Sequence, residues 1–307
     1  MNNRNKRKVD EKGNLQLHTD FDRRMLWVNR IIILFLVLIT LVPLVYVVVA
    51  SFMDPATLVS QGISFNPNDW TVEGYKRVFA DDSIVRGFIN SMIYSFLFSF
   101  LTVIFTVITA YPLSRPNLYG KSGIMLFFVI TMFVSGGLIP TYLLIKDLGM
   151  LNTIWAIVLP NALTVWNIII ARTYFSTLQN ELWEAATIDG ATEIKILFKV
   201  MLPLAKPIMF VLFLYAFVGH WNSFFDAMIY LKDPELQPLQ LVLRNILIQN
   251  QPQQDMVGAQ TAMAEMQQLA ELIKYATIVI SSLPLMVMYP FFQKYFDQGV
   301  LVGSIKG

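Results

Sequence analysis

Cysteine is missing altogether from the 307 residues. That excludes a disulfide framework, a thiol nucleophile, an iron–sulfur cluster and any cysteine-type zinc site. Histidine is nearly missing too: His18 and His220, 202 positions apart, are the whole supply, and no metal site is expected. Charge is scarce, since Asp, Glu, Lys and Arg make up 14% of the chain, against about a quarter in soluble domains. What charge there is nearly cancels, 23 basic side chains against 21 acidic, so no nucleic-acid partner is expected. In their place stand 55% hydrophobic residues and a mean hydropathy of +0.55. Whole windows of about twenty residues carry no charge, the length a helix needs to cross a bilayer. A soluble single domain and a disordered chain are both excluded. The chain reads as an all-α integral membrane protein.

Six stretches qualify as spans: Ile31 to Phe52, Phe88 to Tyr111, Ile124 to Ile145, Thr153 to Ala171, Pro207 to Phe225 and Tyr275 to Phe292. None contains Asp, Glu, Lys or Arg. With both termini inside, 16 of the 23 basic residues fall on the cytoplasmic side and 7 outside, which sets an N-in, C-in orientation. The first outer segment is also acid-rich, with Asp54, Asp69, Glu73, Asp81 and Asp82. Lys6, Arg7 and Lys8 resemble the basic start of a signal peptide, but the apolar run begins only at Ile31 and is too long for one. The expected organisation is therefore a cytoplasmic tail over 1–30, a six-span domain over 31–296 and a cytoplasmic tail over 297–307.

The cytoplasmic loop between spans four and five, residues 176–206, carries the strongest local signals. Ser176 and Gln179 have capping-box spacing and predict a helix start. Leu178, Leu182, Ala185 and Ile188 form one apolar stripe, and Asp189-Gly190 is a turn that stops it. Thr192 can cap a second helix in which Ile194, Leu197, Phe198 and Met201 share a face. Pro203 and Pro207 suit the start of span five. Counting Arg172, the connection holds 4 basic and 4 acidic residues, unlike a simple positive-inside loop. It looks built to dock onto something in the cytoplasm.

This loop resembles the EAA signature of ATP-binding-cassette importer permeases. Glu184, Ala185 and Ala186 are followed by Gly190, then by Val200, Leu202 and Pro203, in the family's register with Val for Ile as the sole departure. Ser135-Gly136-Gly137-Leu138-Ile139-Pro140, Trp221-Asn222 and the ending Gly303-Ser304-Ile305-Lys306-Gly307 are similar to the carbohydrate-uptake, MalG-like branch, and to the permeases of Firmicutes oligosaccharide importers. The similarity covers roughly Ile31 to Gly307.

The resemblance implies a type I importer permease fold. It makes Glu184, Ala185, Ala186, Asp189, Gly190, Leu202 and Pro203 the ATPase-coupling residues, and brings Gly303, Lys306 and Gly307 to the ATPase dimer. The implied partners are a second permease subunit, a cytoplasmic ATPase dimer, an extracellular substrate-binding protein, membrane lipid and a carbohydrate. ATP and Mg belong to the ATPase, so this chain binds no cofactor and is not an enzyme. The implied location is the bacterial cell membrane, multi-pass.

Single features are weighed on that frame. Gly120-Lys121-Ser122 lacks the P-loop's earlier glycine, since Arg115 stands there. His220, Trp221 and Asn222 are candidate pathway residues, and the alternative for the His-Trp pair is an interfacial belt. Asn90, Asn161 and Asn167 either face the substrate pathway or bond between helices. Met256, Met263 and Met266 suggest an amphipathic helix in the outer loop 226–274, which in the family can reach into the docked binding protein. Trp70 to Phe79 reads as interfacial packing. An ion-coupled secondary transporter is the competing function, and the lack of acids inside the spans argues against it.

Overall fold

The computed structural model describes residues 20–64, 66–178, 180–249 and 273–293. It falls into two units, residues 1–72 and 73–307. Apart from one isolated bridge, every regular element among the described residues is helical.

The first unit opens with α1, Asp20–Ala50, so the helix of the first span starts 11 positions before the apolar run at Ile31. Side chains from Arg24 to Tyr46 are exposed, and most of them are apolar. An apolar surface on all sides has a stable solvent only in lipid or against another membrane helix. Pro43 is tolerated inside such a helix because neighbouring groups and local adjustment satisfy the freed carbonyl. After it, Asp54 caps α2, Pro55–Gln61, by accepting from Thr57 N at 3.1 Å. Met53 and Trp70 form the antiparallel bridge, flanked by Thr71 N donating to Phe52 O at 2.6 Å.

The second unit is organised around α4, Asp82–Ser114, which follows α3, Glu73–Ala80. Asp81 starts α4 by accepting from Ser83 N and Ile84 N. One face of α4 buries Ser91, Ser95, Ser99, Thr102 and Thr106, a polar stripe at three- and four-residue steps. Small side chains there let neighbouring helices approach closely and supply hydrogen bonds where no water competes. Against α4 lie α8, Val165–Thr177, and α12, Lys206–Trp221.

One of the predicted spans is bent, one is broken and one follows a bend. Span three is α5, Lys121–Phe133, and α6, Leu138–Asp147, meeting at 111°. The turn is Val134 to Gly137, and Gly137 has φ +85 and ψ 178, a region open essentially to glycine alone. Span four is not one helix: α7, Trp155–Val158, ends before Pro160, and Thr164 caps α8 by accepting from Asn167 N. Pro160 has no N–H to continue the ladder, and its ring would strike the turn before it. Span five is preceded by a bend of 77° at Ala205. Its α12 has Pro207 in the first turn, where the missing N–H costs nothing. Helices 24–50, 82–114 and 273–293 are each long and apolar enough to cross a membrane. Counting each bent pair as one span gives up to 5 by length and composition among the described residues, and the broken fourth stretch falls outside that count.

Beyond α12 come α13, Phe225–Tyr230, and α14, Leu239–Gln249, with α15, Ile273–Gln293, the last described helix. Three apolar clusters hold the unit. One lies at the coupling-loop end around Phe175, Ile196 and Leu212, one around Tyr94, Val158 and Tyr230, and one around Phe217, Trp221 and Leu239.

The α14 end is seated on Gly87 and Ser91 of α4. Ser91 Oγ accepts from Leu239 N at 2.8 Å. A Cβ on Gly87 would lie 3.1 Å from Val242 Cγ2, 3.2 Å from Leu239 Cα and 3.3 Å from Leu239 N. Two of those atoms are backbone, so the contact is not relieved by a rotamer change. Alanine in a helix is worth up to about 1 kcal/mol over glycine, against about 1–3 kcal/mol for overpacking. Gly87→Ala is therefore expected to lower the thermal midpoint of the purified chain and Gly87→Leu to lower it further. Equal midpoints for all three would show that α14 is free to move away.

Candidate functional site

A cavity of about 420 Å³ lies among α4, α7, α8, α12 and α13. Its polar lining is Thr102, Asn161, Thr164, Asn167, His220 and Asp226, with Phe98 and Tyr215 as its aromatic surfaces. A second cavity of about 350 Å³, lined by Ser135, Thr141 and Tyr230 among others, shares Asn161 and Asp226 with the first. Those two residues stand where the cavities meet: Asn161 Nδ2 donates to Asp226 Oδ2 at 3.1 Å. Burial holds the Asp226 carboxyl above the usual carboxylate range, and the Asn161 amide bond works against that rise. Burial also raises the Tyr230 phenol, and the neighbouring Asp226 charge adds to it. Tyr230 stacks on Tyr142 with ring centroids 6.2 Å apart.

His220 belongs to the cavity wall, but its ring is fully engaged. Nε2 lies 3.4 Å from Ile157 O, and a carbonyl only accepts, so this nitrogen carries the proton. Nδ1 is then left to accept from Ser95 Oγ at 3.3 Å. The ring rests on Phe98 at 4.6 Å. Thr102 is 1% exposed, and its hydroxyl has no hydrogen-bond partner among the described atoms.

At the other end of α4, the loop over 176–206 folds as two helices. Ser176 does not open a helix: its hydroxyl donates to Arg172 O inside α8, and Gln179 lies outside the described residues. The helix instead resumes as α9, Asn180–Ile188. It ends on Gly190, whose φ of +73 costs little only without a Cβ. Ala191 N donates to Ala186 O and Gly190 N to Thr187 O, both at 3.0 Å, the paired bonds of a Schellman ending. Thr192 caps α10, Glu193–Ile196, by accepting from Lys195 N. A π-helical turn over Leu197–Met201 follows, then α11, Leu202–Leu204.

Of the predicted coupling residues, Glu184, Ala185, Asp189, Gly190 and Pro203 are exposed, while Ala186 and Leu202 pack on the core. The most exposed of its large apolar side chains are Ile188 at 86%, Ile194 at 71% and Phe198 at 63% exposure. Beneath them Ile196 and Met201 are buried.

The loop is tied to α4 by a joint that the sequence did not suggest. Glu193 Oε2 accepts from Tyr111 Oη at 3.0 Å and from Trp183 Nε1 at 3.3 Å. The buried Arg115 guanidinium lies over both rings, 4.6 Å from Tyr111 and 5.9 Å from Trp183. Its Nε and Nη2 have no hydrogen-bond partner among the described atoms, so the aromatic faces are what receives them.

The predicted pathway residues divide. Asn161, Asn167 and His220 meet at the first cavity. Asn90 is elsewhere: its amide donates to Glu235 O at 2.7 Å and Gln237 O at 3.1 Å, which pins the chain before α14. Asn222 donates to Val218 O at the end of α12. Trp221 is buried and donates to Ser281 O of α15, so it is packing rather than pathway. Gly303, Lys306 and Gly307 lie outside the described residues, as do Met256, Met263 and Met266. Asp226 was overlooked in the sequence because it falls in the outer loop. Its signal is an acid four residues after Asn222, at the edge of a span.

Residues 78–302 match the family described as binding-protein-dependent transport system inner membrane component. Protein LplC of Bacillus subtilis (strain 168) is 37% identical over 270 residues, 88% of this chain and 90% of that one. The polygalacturonan/rhamnogalacturonan transport system permease protein YtcP of the same strain is 35% identical over 279 residues, 90% and 96% of the two chains. A solved bacterial ABC transporter involved in import of the acidic polysaccharide alginate aligns with TM-score 0.81 and 32% identity, covering 92% of this chain and 99% of that one. A full-length match in sequence and in fold, with the EAA loop intact, leaves one assignment: the chain belongs to the binding-protein-dependent transport system inner membrane components and is a permease subunit of an ABC importer, not an enzyme.

Proposed function

We propose that the chain forms one half of the membrane channel of an oligosaccharide importer, crossing the cell membrane six times with both termini in the cytoplasm. A second permease completes the pathway and an external binding protein delivers the sugar. The cytoplasmic ATPase dimer holds the ATP and Mg, seats on the loop from Glu184 to Pro203 and meets the tail at Gly303, Lys306 and Gly307. Alternating access then follows from differential binding, since ATP shifts the permease only if the ATPase contacts differ between its two states. The cavity around Asn161, Asn167 and His220 supplies the sugar pathway. Its amide, hydroxyl and aromatic groups are those that bond and stack on sugars.

The observation that carries this reading is the uncovered surface of the coupling loop. Ile188, Ile194 and Phe198 stand exposed beside the Glu184 and Asp189 carboxylates, while Ile196 and Met201 anchor the same segment from below. Water is a poor solvent for three large side chains clustered in one short loop. A docked subunit with an apolar groove and basic flanks satisfies both features.

Replacing Glu184 by lysine and Gly190 by valine tests it. The first reverses a charge on that surface, and the second forces a β-branched residue to φ +73. The expected result is loss of the co-purifying ATPase subunit, with the chain still inserted in the membrane. Full retention of ATPase and of uptake would mean that the ATPase does not seat on this loop.

A further inference from the structure

The two joined cavities carry one formal charge between them, and it is negative. No Lys or Arg is among the residues that line either one. Asp226 is the sole acid, and its Oδ2 already accepts from Asn161. Its other oxygen has no partner among the described residues and is left as a pure acceptor. The remaining polar groups are neutral: the amide of Asn167 and the hydroxyls of Thr102, Thr164, Tyr215 and Ser223 in the first cavity, and three further hydroxyls in the second. Both nitrogens of His220 are occupied, so it brings no free donor. The Thr102 hydroxyl, buried without a partner, is a polar group of the wall that the protein itself leaves unsatisfied.

A carboxylate oxygen that can only accept suits a ligand that donates, and neighbouring sugar hydroxyls do so. A ligand carboxylate at the same place would meet Asp226 at close range, with no Lys or Arg in the lining to offset the repulsion. The geometry points to a subsite on this chain for a neutral sugar unit, read by the Asn161–Asp226 pair, at which a uronate unit is disfavoured. This rests on the chain being a carbohydrate permease and narrows the class of carbohydrate. A neutral preference would differ from that of the solved importer of the acidic polysaccharide alginate.

The absence of cysteine makes a direct test possible, because a single introduced thiol is the only one on this chain and the cysteine-free parent, labelled in the same assembly, gives the background from its partners. Ser223→Cys places it in the cavity wall with little change in size. In the complete importer, reconstituted in lipid nanodiscs, the rate of maleimide labelling is followed against two ligand sets. One is a mixture of linear malto-, xylo- and galacto-trisaccharides, and the other is trigalacturonate with trimannuronate at matched ionic strength. Labelling with and without the external binding protein separates its preferences from those of the cavity.

The neutral set is expected to give half-protection at a concentration at least tenfold below the uronates. Asp226→Asn keeps an oxygen for Asn161 and removes the charge, so it is expected to close that gap to within threefold, mainly by strengthening uronate protection. Asp226→Glu keeps the charge and is expected to keep the gap. ATPase co-purification certifies that each variant is assembled. Equal protection by the two sets in the parent, or an unchanged gap in Asp226→Asn, overturns the proposal. No protection by either set while the importer still takes up a saccharide overturns the subsite and leaves the carbohydrate reading standing. No uptake of any saccharide overturns the carbohydrate reading itself.

Discussion

Replacing Glu193 by alanine is expected to reduce uptake by the assembled importer at least tenfold while the ATPase stays bound and continues to turn over. Glu193 is the shared acceptor for Tyr111 of α4 and Trp183 of α9, and so joins the docking surface to the longest helix of the bundle. Tyr111 is buried, and without the carboxylate its hydroxyl loses the acceptor to which it donates. Each orphaned donor costs about 1–3 kcal/mol. Arg115 also loses the one acid lining its cavity, although its own guanidinium remains over the two rings. A loss of about 3 kcal/mol in the coupling between two sites corresponds to roughly a hundredfold change in how strongly one biases the other.

None of the side chains altered by this change lies on the exposed face at Glu184, Ile188 and Asp189, which is why binding should survive when transmission does not. Glu193→Gln retains an acceptor oxygen but not the charge, and is expected to fall between the parent and alanine. The measurement is ATP hydrolysis and sugar uptake in one preparation. A fall in both, in step, would mean the joint merely holds the loop in place, and an unchanged ratio at full uptake would mean it carries no coupling.

The coupling loop could be read from the chain because its geometry is set by neighbours in sequence. Asp189-Gly190 stops a helix whatever surrounds it, since φ +73 is intrinsically a glycine conformation, and Thr192 reaches a donor only three residues on. The capping box at Ser176 misled for the same kind of reason. Spacing alone cannot tell whether a helix begins there or the preceding one has yet to end. The bends of the bundle were half visible: Pro160 and Gly137 were in plain view, but apolar run length outweighed them. Residues 153–171 read as one span although proline sits inside it.

The cavity was the least legible part. Asn161 and Asp226 lie 65 positions apart, and nothing local marks them as partners. Asn90 was chosen by the same rule that found Asn161, a polar residue in or beside an apolar run. It proves to hold a loop because two carbonyls from 145 and 147 positions away come to rest on it. The serine stripe of α4 was within reach of a periodicity count, which followed apolar residues and passed over small polar ones.

Trp221→Ala is expected to be the most destabilising single change among the residues first suspected of lining the pathway. Its ring is 1% exposed. It stacks on Phe217 at 5.9 Å and 11°, meets Phe88 edge-on at 5.5 Å, and donates through Nε1 to Ser281 O at 3.0 Å. One side chain thus fastens α4 and α15 to α12. In lipid the gain from removing apolar surface from water is largely absent, so the loss is mostly of close packing and of one hydrogen bond. Truncating a buried tryptophan costs about 3–5 kcal/mol in soluble cores, and about 3 kcal/mol is the better expectation here. On the scale of roughly 2–4 °C per kcal/mol for a chain of this order of size, the thermal midpoint in detergent falls by about 6–12 °C.

Trp221→Phe keeps the stack and loses only the bond to Ser281, so it is expected to cost about 1 kcal/mol. His220, next along α12, faces the cavity through Ser95 and Ile157. A slackened α12 therefore disturbs substrate handling only as a consequence of lost stability, and Trp221→Phe should leave the choice of sugar untouched. If Trp221→Ala instead melts like the parent while the preference among sugars changes, the indole faces the substrate in some state of the transport cycle.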